Sequence, residues 1–233
     1  VAVAALPCWD HPEHGPLDPA SFRDLAQASG LDRTIGRWLL DEACAQLGEW
    51  QSVSPAEPPL WLSVALSAHH LRQPDLAVEV ARALRQGRLP AASLLLEIDE
   101  AVVASAADRE LEALRALHGQ GVRLALGAFG SGVAALTVLR RLPLDLLKLA
   151  PEVDAAPGAE PEDDRSRRAL VAVGHALGLP VVASGVATAD DVARARSLGC
   201  DLAEGPALAP PNPPGAFARL LRLTGGRLPD FAS

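Results

Sequence analysis

The sequence predicts an α/β fold of the (β/α)8 barrel type, and three observations predict it. From Leu60 onward short apolar runs alternate with amphipathic stretches of helical period. That alternation marks βα units whose sheet is covered on both faces. Roughly eight strand signals occur, which favours a closed barrel over an open doubly wound sheet. The chain has 233 residues, 49% of them hydrophobic and 21% charged, so it can bury a large core; barrels of this type commonly run to about 250 residues.

Each element has its own signal. Val1 to Leu6 reads as a buried strand, and Asp10 to Gly15 as a turn-rich loop. Asp18 before Pro19 is an N-cap followed by a first-turn proline, and the helix through Phe22, Leu25 and Ala26 stops at Gly30. A longer helix spans Leu31 to Trp50, with a Ser- and Pro-rich loop from Ser52 to Pro59. Strands are expected at Leu60 to Leu66, Leu94 to Ile98, Val122 to Leu126, Leu144 to Leu149, Val181 to Ala183 and Asp201 to Ala203. Helices are expected at Leu76 to Leu84, Glu100 to His118, through Leu136 and Leu139, at Arg165 to Leu177, Asp190 to Leu198 and Phe217 to Leu223. The acidic stretch Glu152 to Asp164 reads as poorly structured. No repeat or linker divides the chain, so one domain is expected over residues 1–233, with its core at 1–224 and a tail at 225–233.

Composition narrows the function. The net charge is -8, and phosphate backbones need a basic face, so no nucleic-acid partner is expected. No apolar run reaches the ~20 residues that span a bilayer, and Val1 to Leu6 is too short and lacks a basic flank for a signal peptide. No membrane contact is expected. The chain does not open on Met, which suggests part of something longer. Cys8, Cys44 and Cys200 are odd in number, far apart and form no CxxC; reduced thiols and a cytoplasmic location are expected.

In such barrels chemistry sits at the C-terminal ends of the strands, so the residues there decide the question. They are Ala4-Ala5-Leu6 followed by Trp9 and His11-Pro12-Glu13-His14-Gly15; Ser63 to Ala68; Leu96-Glu97-Ile98-Asp99-Glu100; Gly127-Ala128-Phe129-Gly130-Ser131-Gly132; Leu147-Lys148-Leu149-Ala150; Ala183 to Thr188; and Glu204-Gly205. Taken together, in this order, they resemble the EAL domain family of cyclic di-GMP phosphodiesterases, across Val3 to Pro211. They stand where that family has EAL with RW.HPe.G, NLS, ExTE, DDFGTG, KID, AEGVET and QG. The resemblance implies a barrel of the EAL type whose first strand is antiparallel to the rest. It also implies a site where two Mg2+ or Mn2+ ions activate water against a phosphodiester, which needs several carboxylates in fixed geometry.

The residues depart from that pattern. Ala4, Ala65, Gly127, Ala128, Ala150, Ser184 and Ala187 stand at positions where the family has Glu, Asn, Asp or Glu, and Glu204 replaces the glutamine. Glu97 and Lys148 remain, with Glu100 opening the next helix. One carboxylate beside an ammonium cannot hold two divalent ions, so no metal, no cofactor and no enzymatic activity are expected. The family's phosphate-facing arginine is Cys8 here. Any residual ligand contact falls to Leu6, Glu97, Lys148 and Glu204. Lys148 is the only lysine; it reads either as a relic facing the barrel mouth or, preferably, as paired with Glu97.

The histidines carry no metal site on this reading. His69 and His70 are adjacent and face different ways, His11 and His14 lie in a loop, and all are read as solvated or capping. Ser67 near His69 lacks a nucleophile-elbow turn and a third partner. The glycines of the 127–132 turn are read as kept for shape. The expected function is therefore a catalytically inactive EAL-like regulatory or protein-interaction module in bacterial cyclic di-GMP signalling. Its partners would be another protein, flanking signalling domains, or a second copy through the Gly-rich turn and the helix Val133 to Leu142. A cyclic di-GMP receptor that does not cut is the alternative, and a residual phosphodiesterase a third.

Overall fold

A computed structural model describes residues 2–53, 59–131, 139–150 and 161–224. The centre of the Ser- and Pro-rich loop, most of the helix after the Gly-rich turn, residues 152–160 of the acidic stretch and the tail at 225–233 lie outside the described residues. The first half of the chain forms β1 (Ala2–Ala4), β2 (Trp9–His11), β3 (Gly15–Leu17), α1 (Pro19–Ala28), α2 (Asp32–Val53), β4 (Trp61–Ala65), α3 (Ala68–Leu71), α4 (Leu76–Gly87), β5 (Leu94–Asp99), α5 (Glu100–Ser105) and α6 (Asp108–Gly119). The second half forms β6 (Arg123–Phe129), β7 (Leu146–Leu149), α7 (Pro161–Ala176), β8 (Val181–Ser184), α8 (Ala189–Leu198), β9 (Leu202–Glu204) and α9 (Pro214–Thr224). The described residues fall into two compact units: those of 2–97, 107–123 and 213–224, and those of 98–106 and 124–212.

In the first unit β1, β4 and β5 lie side by side and parallel, with Val3 opposite Leu62 and Ala65 opposite Glu97. The antiparallel first strand implied by the resemblance is therefore corrected for the described residues. The physical reason is the connection: β1 reaches β4 through α1 and α2, and such a helical crossover returns the chain to the same end of the sheet. The expected α1 is present. Asp18 accepts the Ser21 backbone N–H at 2.9 Å and its hydroxyl at 2.6 Å, contacts that hold its carboxyl below the usual carboxylate range.

The loop expected at Asp10 to Gly15 is a small antiparallel hairpin, with Trp9 opposite Leu17. Its turn is closed by His11 Nδ1, which accepts the N–H groups of Glu13 and His14 at 3.1 and 3.2 Å. A ring nitrogen supplying what backbone carbonyls usually supply has no sequence pattern to announce it. The single helix expected from Glu100 to His118 is two helices. Ala106 is extended at ψ 138°, and the Glu110 carboxylate accepts the Ala107 N–H at 2.8 Å, so a new helix starts there.

The second unit contains β6, β7, β8 and β9, each parallel to the next. Each unit thus holds parallel strands, three in the first and four in the second, the α/β architecture expected from the alternating pattern and consistent with a (β/α)8 barrel. Two aspartates join strand starts. Asp145, just before β7, accepts the Leu124 N–H at 2.7 Å, and Asp201, just before β9, accepts the Val181 N–H at 2.8 Å. Each carboxylate satisfies a backbone donor at the strand end away from the expected site, a structural role.

The core lies along the apolar runs. Leu62, Val64, Leu94, Leu95 and Leu96 are buried in the first unit and Leu124, Leu126, Phe129, Leu147, Leu149, Val181 and Val182 in the second. Each fully buried side chain of this kind contributes about 2 kcal/mol. Among the described residues no helix is long and apolar enough to cross a membrane.

The three thiols are free; Cys8 is exposed while Cys44 and Cys200 are buried. Burial, with Asp41 nearby, pushes the Cys44 thiol up to about 12, and burial with Asp201 raises that of Cys200. A disulfide-exchange reagent at pH 8 is thus expected to find one fast thiol in the native chain and three after denaturation. Fast reaction of Cys44 in the native chain would contradict its placement.

Candidate functional site

The strand ends of the first unit are mostly bare. Ala4 closes β1 and Ala65 closes β4, both exposed methyl side chains. Opposite Ala65 stands Glu97, half-buried on β5, whose Oε2 accepts the Ser63 hydroxyl at 3.4 Å. Leu6, two residues past β1, is 56% exposed. That places it on the surface, an apolar contact at most.

The second unit is richer. Lys148 lies on β7 between the buried Leu147 and Leu149, and only 4% of its side chain is exposed. Its Nζ donates to Glu204 Oε2 on β9 at 2.8 Å. The other carboxylate oxygen of Glu204 accepts the Ser184 hydroxyl of β8 at 2.9 Å. Ser184 and Glu204 are register partners on neighbouring strands, so the contact is built by the sheet. Gly205 lets the chain turn directly after β9: it sits at φ +154°, and any side chain there would strike the Val186 backbone. The Val186 N–H donates to the Glu204 carbonyl at 3.1 Å. A β7 ammonium, a β9 carboxylate and a β8 hydroxyl thus form one connected row.

Beside this row, β6 ends irregularly. Its register with β7 shifts between Leu126 and Phe129, and Ala128 adopts φ +50°, a left-handed conformation that strains a residue with a Cβ. The Gly130 N–H donates to Glu100 Oε2 at 2.9 Å. Glu100 is 2% exposed and its Oε1 has no hydrogen-bond partner among the described residues. Glu100 opens α5, as read from the sequence, and its carboxylate also holds the turn after β6. On the far side, both terminal nitrogens of Arg167 reach the Ala150 carbonyl at 3.4 Å.

Of the residues singled out in the sequence, Lys148 and Glu204 are brought into contact, Glu97 bonds to Ser63, and Leu6 stands exposed. Sequence reasoning missed Ser184, taking it only as a lost carboxylate, though Ser184 and Glu204 lie close to parallel strand ends. Leu139 and Leu142, two candidate dimer side chains, are buried within the chain. Residues 133–138 of that helix lie outside the described residues.

The histidines need one correction. His69 is exposed beside Asp32, at 3.0 Å, but His70 is 1% exposed and not solvated. The Ser67 hydroxyl accepts the His70 N–H at 3.1 Å, starting α3 so that His70 turns inward under Gly36. There His70 Nε2 lies 2.9 Å from Glu79 Oε2, a buried pair of the first unit. Among the described residues no three His, Cys, Asp or Glu side chains gather as a metal site would need.

Comparison with known proteins gives a consistent family. A model described as EAL domain matches residues 1–211. The chain is 35% identical over 214 residues to the bifunctional diguanylate cyclase/cyclic di-GMP phosphodiesterase MucR of Pseudomonas aeruginosa, covering 91% of this chain and 31% of that protein. It spans less than a third of that relative's length. Among solved structures, the PaMucR phosphodiesterase in complex with c-di-GMP superposes with a TM-score of 0.85 at 34% identity, covering 93% of this chain and 87% of that one. The EAL domain of Mycobacterium smegmatis DcpA does so with a TM-score of 0.75 at 32% identity, covering 84% and 87%.

Proposed function

The chain belongs to the EAL domain family, and from that premise we propose that it serves cyclic di-GMP signalling as a catalytically silent EAL domain. On this reading residues 1–233 form one domain that works as a regulatory or protein-interaction module, beside flanking signalling domains or a separate protein partner. The observation that carries the reading is the Lys148–Glu204 pair. Glu204 is neutralised by the Lys148 ammonium at 2.8 Å. Glu97 has Ala65 as its register partner on β4.

The donor set does not fit a pair of divalent cations. Such ions take six or so oxygen ligands each, and two close together need several carboxylates to offset their repulsion. Ala4, Ala65, Ala128 and Ala150 supply methyl groups, and Gly127 supplies no side chain at all. With no ligand set, no water is activated and no phosphodiester is attacked.

The test is turnover. Purified chain incubated with cyclic di-GMP and Mn2+ is expected to leave the dinucleotide intact over hours, as read by chromatography. Protein-dependent appearance of linear dinucleotide, lost on Glu97→Gln, would sink the reading. A second reading, a receptor that binds without cutting, is favoured by one observation: the PaMucR structure, at 34% identity, is a complex with c-di-GMP. Titration calorimetry separates the two, since micromolar binding without turnover would replace the protein-interaction reading with the receptor.

A further inference from the structure

The β2–β3 hairpin follows the C-terminal end of β1 and begins on Trp9, which is 40% exposed, with Leu6 before it at 56%. The hairpin has few means of holding itself closed. Its strands have three residues each, and Pro16 of β3 brings no N–H to the ladder. A two-stranded hairpin is marginal in water by itself. At its open end Trp9 meets Phe22 of α1 edge-on, with ring centroids 6.1 Å apart. At its turn, His11 Nδ1 accepts the N–H groups of both Glu13 and His14, at 3.1 and 3.2 Å.

That double acceptance fixes the state of the ring. A neutral imidazole has one donor and one acceptor nitrogen. Nδ1 is the acceptor here, so the proton sits on Nε2. An imidazolium donates from both nitrogens; its Nδ1–H would point at two other N–H groups, and neither bond could form. We infer that the hairpin is an acid-sensitive clasp: protonation of His11 removes the acceptor that closes the turn, and β2 and β3 come apart. Histidine is the side chain whose charge ordinarily changes between about pH 8 and pH 5, so the clasp is closed at the upper end of that range and open at the lower. Opening separates Trp9 from Leu17, its register partner, and redraws the apolar surface at this strand end. The clasp is independent of whether the domain is catalytically silent.

The surroundings of His11 supply no replacement. The His14 and Trp9 rings lie against it, with centroids 4.5 and 4.7 Å away. The other titratable groups of the hairpin are Asp10 and Glu13, with Cys8 just before it. α1, which touches the hairpin through Phe22, carries Asp18, Arg23 and Asp24, and Asp18 is engaged with Ser21. Among the described residues no carboxylate bonds to His11. A carboxylate that moved to the imidazolium would favour the charged ring while restoring neither N–H bond, so it would act with the acid.

The test is amide protection, read by NMR on the whole chain at pH 8 and pH 5 and expressed relative to free peptide. Protection of the Glu13 and His14 N–H groups is expected to fall about 10-fold in acid, while the N–H groups within α2 keep theirs. His11→Asn is the comparison. Its amide oxygen accepts the same backbone donors in an Asx turn, an Asn-Pro pair favours turn initiation, and it does not titrate. It is expected to protect both amides equally at the two pH values, His11→Ala at neither, and His14→Gln to respond to pH as wild type does. Equal protection of the wild-type amides at pH 8 and pH 5 overturns the inference. So does acid loss in His11→Asn, or a response that disappears in His14→Gln, since either assigns the titration to another group. Should His11→Asn fail to fold, the ring nitrogen shifts of wild type decide: at pH 8 the His11 proton is expected on Nε2, and a proton on Nδ1 overturns the clasp.

Discussion

Replacing Gly48 by alanine is expected to destabilise the chain by about 3 kcal/mol, although Gly48 lies inside α2 and alanine is the better helix former. The propensity gain is about 1 kcal/mol. Against it stands a steric conflict: a methyl at Gly48 would overlap the Gly87 carbonyl, and one at Gly87 would overlap the Cys44 carbonyl. α2 and α4 meet there backbone to backbone, so no flexible side chain can move aside. The helices must separate, which loosens the packing around Leu40, Cys44, Leu47, Val80 and Ala83, all buried. For a chain of this size a loss of about 3 kcal/mol lowers the melting temperature by roughly 6–12 °C. Gly119→Ala is the control: no atom lies within 4 Å of a methyl there, so it is expected to be neutral or slightly stabilising. If Gly48→Ala melts with wild type, the close approach of the helices is refuted.

The second large effect is expected at the buried pair of the first unit. Glu79 and His70 have side chains 4% and 1% exposed, 2.9 Å apart. Arg37 approaches the other Glu79 oxygen at 3.5 Å and Arg33 at 4.0 Å. Glu79→Leu keeps the volume but leaves His70 facing an apolar group, and Arg37 loses the Glu79 carboxylate while Arg33 keeps Asp75 at 3.3 Å. Breaking a buried pair from one side costs about 3 kcal/mol. His70→Leu added to Glu79→Leu is expected to recover part of that, because an apolar pair of similar volume is often as good as a buried polar one. Urea unfolding of both single variants and the double gives the coupling. Strict additivity would show that the two side chains do not act as a pair.

Neither feature was readable along the chain. A glycine within a helical pattern looks like a weak point, and only the neighbouring helix shows that Gly48 is where two backbones touch. Adjacency in the chain already turns His70 away from His69. Its burial depends on Ser67 starting a four-residue helix beneath α2, a contact between segments far apart in sequence. The hairpin at Trp9 to Leu17 was hidden for a similar reason, since its turn is closed by a histidine ring nitrogen. By contrast α1 was legible to its caps, because Asp18, Pro19 and Gly30 act through local backbone geometry alone.

The candidate site divides along the same line. Local order in the chain determined that strands and helices alternate, that alanines and glycines stand at strand ends, and that charged residues such as Glu97, Lys148 and Glu204 stand among them. Those are properties of residue type and spacing, which hydrophobic periodicity and motif order express directly. Which charges meet was decided only by the folded sheet. The pairing of β8 with β9 sets Glu204 beside Ser184, and the β7 strand brings Lys148 to the same carboxylate across 56 residues of sequence. A contact of that kind depends on register and strand neighbourhood, and those come from packing of the whole sheet rather than from any stretch of the chain.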